Sequence, residues 1–238
     1  MELNLEIGPG RIAHASGALY LPASGTLMIA DAHLGYGWAQ RRRGQLGPVT
    51  DGGIAERLFQ VVDEFKPVEL LFLGDTVHAP KPMPAEREFI EELLQRLIAK
   101  TCVRIVQGNH DRAFTRDFSN LGVQVDLQWR HGDLLGLHGD RLHVELPEAG
   151  HYLIGHLHPA IGLRDDAGAN RRLPVFLAGP RATILPAFSP FASGFDILKS
   201  ALPKEVEALL GEHDVYAVTG RRIVRLPTRA IRASRNDP

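Results

Sequence analysis

Apolar residues follow two rhythms in the first half of the chain. Continuous runs at 26–30, 68–73 and 101–107, rich in Leu, Ile, Val and Phe, read as buried strands. Between them the spacing becomes helical. Ile54, Leu58, Val61, Val62 and Phe65 mark a helix over 50–65, with Thr50 or Asp51 placed to cap it. Phe89, Ile90, Leu93, Leu94, Leu97 and Ile98 mark another over 85–99. Strand, helix, strand, helix, strand predicts parallel pairing through right-handed crossovers. Two shorter strands, 3–7 and 18–21, precede this unit around a Gly-Pro-Gly turn at 8–10.

After about residue 121 the rhythm shortens. Strands at 123–130, 134–138, 151–155, 160–164, 173–178 and 181–186 predict a second, largely antiparallel sheet. A helix over 204–211 and a hairpin across Thr219-Gly220 follow. Neither a repeat nor a domain boundary is visible, so one α/β domain over 1–238 is expected, with a basic tail from about 221.

Composition changes this picture little. The 238 residues, 44% of them hydrophobic, suffice for a substantial core. A net charge of −1 provides no global field for a polyanion. The single cysteine, Cys102, lies in the third apolar strand; a core position is expected, and a disulfide framework is excluded. The first residues lack the apolar core of a signal peptide, and no run approaches membrane-spanning length. The expectation is a soluble cytoplasmic protein.

The chemistry collects where the apolar runs stop. The three strands of the first half end in Asp31-Ala32-His33, Gly74-Asp75-Thr76-Val77-His78 and Gly108-Asn109-His110-Asp111. Two later ones end in His138-Gly139 and Gly155-His156-Leu157-His158. Asp31 and His33, two residues apart, would project to one side of an extended segment. One such strand end is a turn; a succession of them argues for a built site at the place where open α/β sheets bind ligands. The set holds enough carboxylate, amide and imidazole donors for two divalent ions sharing one carboxylate. Without thiolate it suits Mn²⁺, Fe or catalytic Zn²⁺.

Plainer roles are expected elsewhere. Asp111 reads as a helix cap and Arg112 as an exposed helix residue. His14, His131, His143, His151 and His213 read as surface or satisfied polar groups. Arg41, Arg42 and Arg43 form a run that is ordinarily solvated and in some proteins binds phosphate. Arg221, Arg222, Arg225, Arg229, Arg232 and Arg235 leave two readings, a solvated tail or an edge that meets nucleic acid.

In this order the five blocks, spanning 27–159, resemble the calcineurin-like metallophosphoesterase superfamily. The resemblance implies two packed mixed sheets flanked by helices. It implies that Asp31, His33 and His158 hold one metal, that Asn109, His138 and His156 hold a second, and that Asp75 bridges them. The reaction implied is phosphoester hydrolysis by a water shared between the ions. His110, surplus to the ligands, would serve the transition state or the leaving oxygen, and His78 would orient His110 or touch phosphate.

His78 stands where the protein-phosphatase branch carries Asp, and so resembles the DNA-repair branch of SbcD-like nucleases. Asp31-Ala32-His33-Leu34-Gly35, Arg41-Arg42-Arg43-Gly44 and Leu185-Pro186-Ala187-Phe188 resemble the bacterial ligase-associated phosphoesterase and endonuclease group. That likeness implies a Mn²⁺-dependent phosphodiesterase acting on DNA, single-stranded or at ends, in repair, with a DNA ligase or helicase as partner. Arg41, Arg42 and Arg43 would then bind substrate. The length leaves no room for the extra domains of large SbcD-type nucleases, so processive exonuclease action is not expected. The rival reading is a phosphatase or phosphodiesterase for a small nucleotide or other metabolite. A non-catalytic scaffold has no need of so complete a donor set.

Overall fold

The computed structural model describes residues 3–44, 51–164, 170–192 and 194–227. β1 (Asn4–Gly8), β2 (Arg11–His14), β3 (Leu19–Leu21) and β4 (Thr26–Ile29) form an antiparallel meander. After α1 (Tyr36–Arg42) and α2 (Asp51–Phe65) comes β5 (Glu69–Leu73), and after α3 (Pro84–Ile98) comes β6 (Cys102–Val106). The short α4 (Phe114–Asp117) leads to β7 (Gln124–Asp126). β4, β5, β6 and β7 are parallel neighbours, and the first sheet runs in chain order from β1 to β7.

The second sheet contains β8 (Trp129–His131), β9 (Leu134–Leu137), β10 (His151–Ile154), β11 (Pro159–Arg164), β12 (Asn170–Ala178), β13 (Ala182–Ile184) and β14 (Phe195–Asp196). Its order is β14-β11-β12-β13-β10-β9-β8. α5 (Lys204–Leu210) precedes β15 (Asp214–Val218), which pairs with β12 and with β16 (Ile223–Leu226).

Strand alternation sorts the core into three layers. Leu27, Ile29, Leu70, Phe72 and Ile105 face α2 and α3 through Ile54, Leu58, Ile90 and Leu94. Met28, Leu71, Leu73 and Val106 turn the other way, onto Leu153, Phe176 and Leu185 of the second sheet. Tyr152, Ile154, Val175 and Leu177 cover the outer face of that sheet beneath Val206 and Leu210 of α5. Helices, sheet, sheet and helix thus stack as the predicted α/β sandwich of two mixed sheets.

Several expectations change. β2 was not expected, because Arg11 and His14 are buried in it, 9% and 8% exposed, and hide its strand pattern. The run at 123–130 breaks at exposed Leu127 (71%): β7 ends the first sheet and β8 begins the second. Antiparallel pairs are frequent in the second sheet, but β10 lies parallel to both β9 and β13. Every residue of β10 is buried, as a central parallel strand requires. The basic stretch after Tyr36 is helical, as α1. Cys102 is exposed rather than in the core, because it occupies the first position of β6 and the strand's buried residues begin at Val103. Thr50 and the arginines at 229, 232 and 235 lie outside the described residues.

Candidate metal centre

The five blocks meet at one end of both sheets. The chain leaving β4 is zipped to the chain leaving β5: Asp31 N donates to Gly74 O, His33 N to Asp75 O, Leu34 N to Thr76 O, and His78 N to Leu34 O. A bridge between Ala30 and Ala187 joins this corner to the second sheet. Gly155 lies in the seam. A Cβ there would sit 2.9 Å from Leu73 O and 3.0 Å from both Ala30 Cβ and Asp31 Oδ2, so no larger residue lets the two sheet ends close.

Asp31 and His33 do not continue an extended strand. Their φ values are 54° and 46°, and Asp75, His156 and His158 also sit in the left-handed region, at 47°, 64° and 51°. Each turn swings a side chain inward at the strand end, at a backbone cost of order 1–3 kcal/mol.

Asp31, His33 and His158 bring one ligand atom each within 4.8 Å of one another; Asp75, His138 and His156 do the same. Asn109 joins the second group, its Oδ1 lying 3.0 Å from His138 Nε2. That same nitrogen is 3.1 Å from His156 Nδ1 and 3.5 Å from Asp75 Oδ1. One imidazole N–H cannot serve three such neighbours, and the convergence of lone pairs is what a cation resolves. In the first group Asp31 Oδ1 and His158 Nε2 lie 3.1 Å apart, yet neither makes a hydrogen bond of good geometry, and His33 Nδ1 is likewise buried without a partner. Oxygen and imidazole donors, orphaned and convergent, fit two divalent ions.

The electrostatics agree. Burial pushes the His33 imidazolium down to about 3, against the pull of Asp31, so the ring is a neutral ligand. Burial, then His138, lowers His156. Burial opposes charge on His158 as well, but the Asp31 and Asp75 carboxylates outweigh it and raise its pKa. Burial raises that of Asp75 against His138 and the His110 N–H. The Asp75 carboxylate is thus short of positive charge.

His110 and His78 stand beside the ligands. His110 N donates to Asp75 Oδ1 at 2.9 Å, and His110 Nδ1 donates to the main-chain oxygen of His78 at 2.6 Å. This fixes the tautomer and leaves Nε2, 4.0 Å from Asp75 Oδ2, free towards the cleft. The two imidazoles stack at 5.6 Å. Burial, then the neighbouring charges of His110, Arg43 and Arg42, lowers His78 to about 4.

Asp111 is no helix cap. It is fully buried, and accepts Gly108 N at 2.9 Å and Val77 N at 3.1 Å, tying the second block to the third. Burial pushes its carboxyl up to about 7 against those two hydrogen bonds.

The cleft has a volume of about 350 Å³ and is lined by His33, Asp75, His78, Asn109, His110, His156 and His158 together with Tyr36, Gln40, Arg43, Phe191 and Ala192. Of the basic run, Arg43 reaches it, Arg42 donates to Lys81 O at 3.1 Å, and Arg41 is exposed on the same helix. His14 and His151 are buried with partners, the first on Ser16 and Glu64, the second on Pro180 O and Thr183. Sequence reasoning missed Tyr36, Gln40 and Phe191; the spacing of Tyr36, Gln40 and Arg43 at i, i+4 and i+7 was the available signal.

A two-sheet α/β sandwich carrying this donor set at its joined strand ends is the architecture of a metal-dependent phosphoesterase. The family model for calcineurin-like phosphoesterases matches residues 26–175, and the chain belongs to that family. Among solved structures, the Pseudomonas putida nuclease MPE is 25% identical with a TM-score of 0.69, over 94% of this chain and 98% of that one. The phosphoesterase Yfce from E. coli is 15% identical with a TM-score of 0.43, over 84% of this chain and 97% of that one. No curated protein matches in sequence. Among the described residues no helix is long and apolar enough to cross a membrane.

Proposed function

We propose that this protein is a two-metal phosphodiesterase that hydrolyses DNA, single-stranded or at ends, in a repair role. The observation that carries the reading is the convergence of seven donors beside His110, in a fold shared over 94% of the chain with a nuclease. Asp31, His33 and His158 would hold one ion, Asn109, His138 and His156 the other, with Asp75 between them. Mn²⁺ is the ion proposed, from among the Mn²⁺, Fe and Zn²⁺ that oxygen and imidazole donors accept, and the pair would supply an acidified water and polarise the phosphoryl oxygens. The chain's own residues do the rest. Asp75 holds the His110 main chain, the His78 carbonyl accepts from His110 Nδ1, and Nε2 faces the cleft, where a ring protonated on both nitrogens would give its Nε2 proton to the leaving ester oxygen as the P–O bond breaks. Arg43 meets the phosphate next to the scissile one.

Purified protein with Mn²⁺ is assayed on single-stranded DNA, duplex DNA and bis-p-nitrophenyl phosphate. Asp75→Asn, which weakens both ions, abolishes all activity on this reading. Replacing Arg41, Arg42 and Arg43 by Ala lowers DNA cleavage most at low salt, flattens its dependence on salt, and spares the small diester. Turnover of small metabolite esters with no DNA cleavage under any metal would assign the protein to the rival class.

A further inference from the structure

One feature of the cleft is unused by this chemistry: a half-buried aromatic wall. The rings of Tyr36 and Phe191 stack at 5.3 Å with their planes 10° apart, and both line the metal cleft. Tyr36 also meets His78 edge-on at 4.9 Å, and His78 stacks on His110, so the rings form a continuous row from the rim to the reaction centre. Both ends of the pair are clamped to ligand loops. Tyr36 N donates to His33 O at 3.2 Å. On the other side Phe188 N donates to Ala30 O at 2.8 Å and Ser189 N to Asp31 O at 3.1 Å, and Phe191 N reaches Ser189 Oγ at 3.4 Å. The wall is therefore held in register with the donors by main-chain hydrogen bonds and, at Phe191, by the Ser189 hydroxyl.

We infer that the Tyr36–Phe191 wall is a base-binding subsite, taking the nucleobase next to the scissile phosphate of single-stranded DNA. The inference rests on the DNA-cleaving reading above. The occupant follows from the neighbours. Gln40 and Arg43 follow Tyr36 at i+4 and i+7, on the same face of α1, and line the same cleft. A flat ring, an amide and a guanidinium in a row match a base face, a base edge and a phosphate. Stacking tolerates any sequence, because every base has a π face. It also discriminates by strandedness, since a duplex base is already stacked on both sides and must be freed first.

The test uses the Mn²⁺-loaded protein with an oligothymidylate and with an oligomer of equal length carrying tetrahydrofuran abasic residues throughout. Tyr36→Ala and Phe191→Ala are expected to raise KM for the oligothymidylate about 5- to 100-fold, the range of one lost base stack. They leave kcat, metal content by elemental analysis and KM for the abasic oligomer near wild type. Tyr36→Phe keeps the ring and retains wild-type KM. Phe191→Leu keeps the apolar volume without the plane and behaves as Phe191→Ala. Equal effects on the two oligomers, or recovery in Phe191→Leu, would reduce the wall to packing and overturn the inference. A wild-type protein that cleaves no DNA at all would instead remove the functional reading itself, and the subsite with it.

Discussion

Gly108→Ala isolates the role of close packing in building the metal centre. Gly108 joins β6 to Asn109, and its backbone is outside the left-handed region, so the substitution adds volume without conformational strain. The added Cβ would lie 2.3 Å from Asp75 N and 2.3 Å from Asp75 Oδ1. Neither can swing away. The first is main chain, and the second accepts His110 N at 2.9 Å. Ordinary contact needs about 3.4 Å, so the second and third blocks must part by roughly 1 Å. Ligand distances tolerate only about 0.2 Å, so Asn109 and Asp75 can no longer serve ions held in common. A misplacement of about 1 Å can cost roughly 10²-fold in rate. Overpacking of this kind destabilises by about 1–3 kcal/mol, which for a chain of this size lowers Tm by roughly 2–12 °C. Bound Mn²⁺ by elemental analysis, turnover of bis-p-nitrophenyl phosphate and thermal melting read the three effects separately. A variant that keeps two equivalents of Mn²⁺ and turns over within about threefold of wild type would show that the two blocks are not in rigid register.

Three further outcomes are expected. His110→Ala keeps both metals and loses about 10²- to 10⁴-fold in kcat, whereas His78→Ala loses less because it is the His78 main chain that holds His110; metal loss in the first, or the reverse ranking, contradicts the assignment. Gly53→Ala, near the start of α2 with nothing within 4 Å of the new methyl, stabilises by about 0.5–1 kcal/mol, read as a rise in Tm. His151 is held neutral, its pKa lowered to about 4 by burial and then by the Arg11 charge, against about 6.5 unfolded. The unfolded chain therefore binds the extra proton, and stability present above pH 6.5 is lost as pH falls towards 4, by about 2 kcal/mol. His151→Gln should flatten that limb in EDTA, and a wild-type-minus-variant difference that does not move with pH would show that His151 takes no part.

Legibility in the sequence followed the range of the physics. The β4-α2-β5-α3-β6 unit was readable because each element buries a complete face, so periodicity and burial coincide. β2 was not, because two of its four residues are the polar Arg11 and His14, both buried, and the Glu64 that meets His14 is a tertiary partner no local pattern shows. Cys102 was misplaced for the converse reason: an apolar run says that a strand exists, and not which of its ends protrudes. The donors stood out because they interrupt apolar runs where a core residue would otherwise continue. Tyr36 and Phe191 did not, since an aromatic near a strand end looks the same whether it fills a core or lines a cleft; only the geometry separates the two. Asp111 belongs with them. From the sequence it reads as a helix cap, and only the spatial approach of Val77 N reveals a tie between blocks 34 residues apart.

The pairing of Asp31 with His33 carries a more general point. Two-residue spacing suggested one face of an extended strand, and the two side chains do bring ligand atoms within 4.8 Å of each other. Yet neither residue is extended. A strand would have carried the side chains on to the core or to solvent; a left-handed turn at each ligand instead folds them back over the strand end. Among the described non-glycine residues with positive φ, all but Lys66 are proposed ligands. Asp and His tolerate that conformation better than most side chains do, so the donor chemistry and the backbone requirement select the same residue types. At a cost of order 1–3 kcal/mol per site such turns persist only where the surroundings over-determine them. Here the hydrogen bonds from Asp31, His33, Leu34 and His78 across to the neighbouring block do so. The turns are therefore fixed by the scaffold's own main-chain hydrogen bonds, and they hold the donors pointing inward over the strand ends.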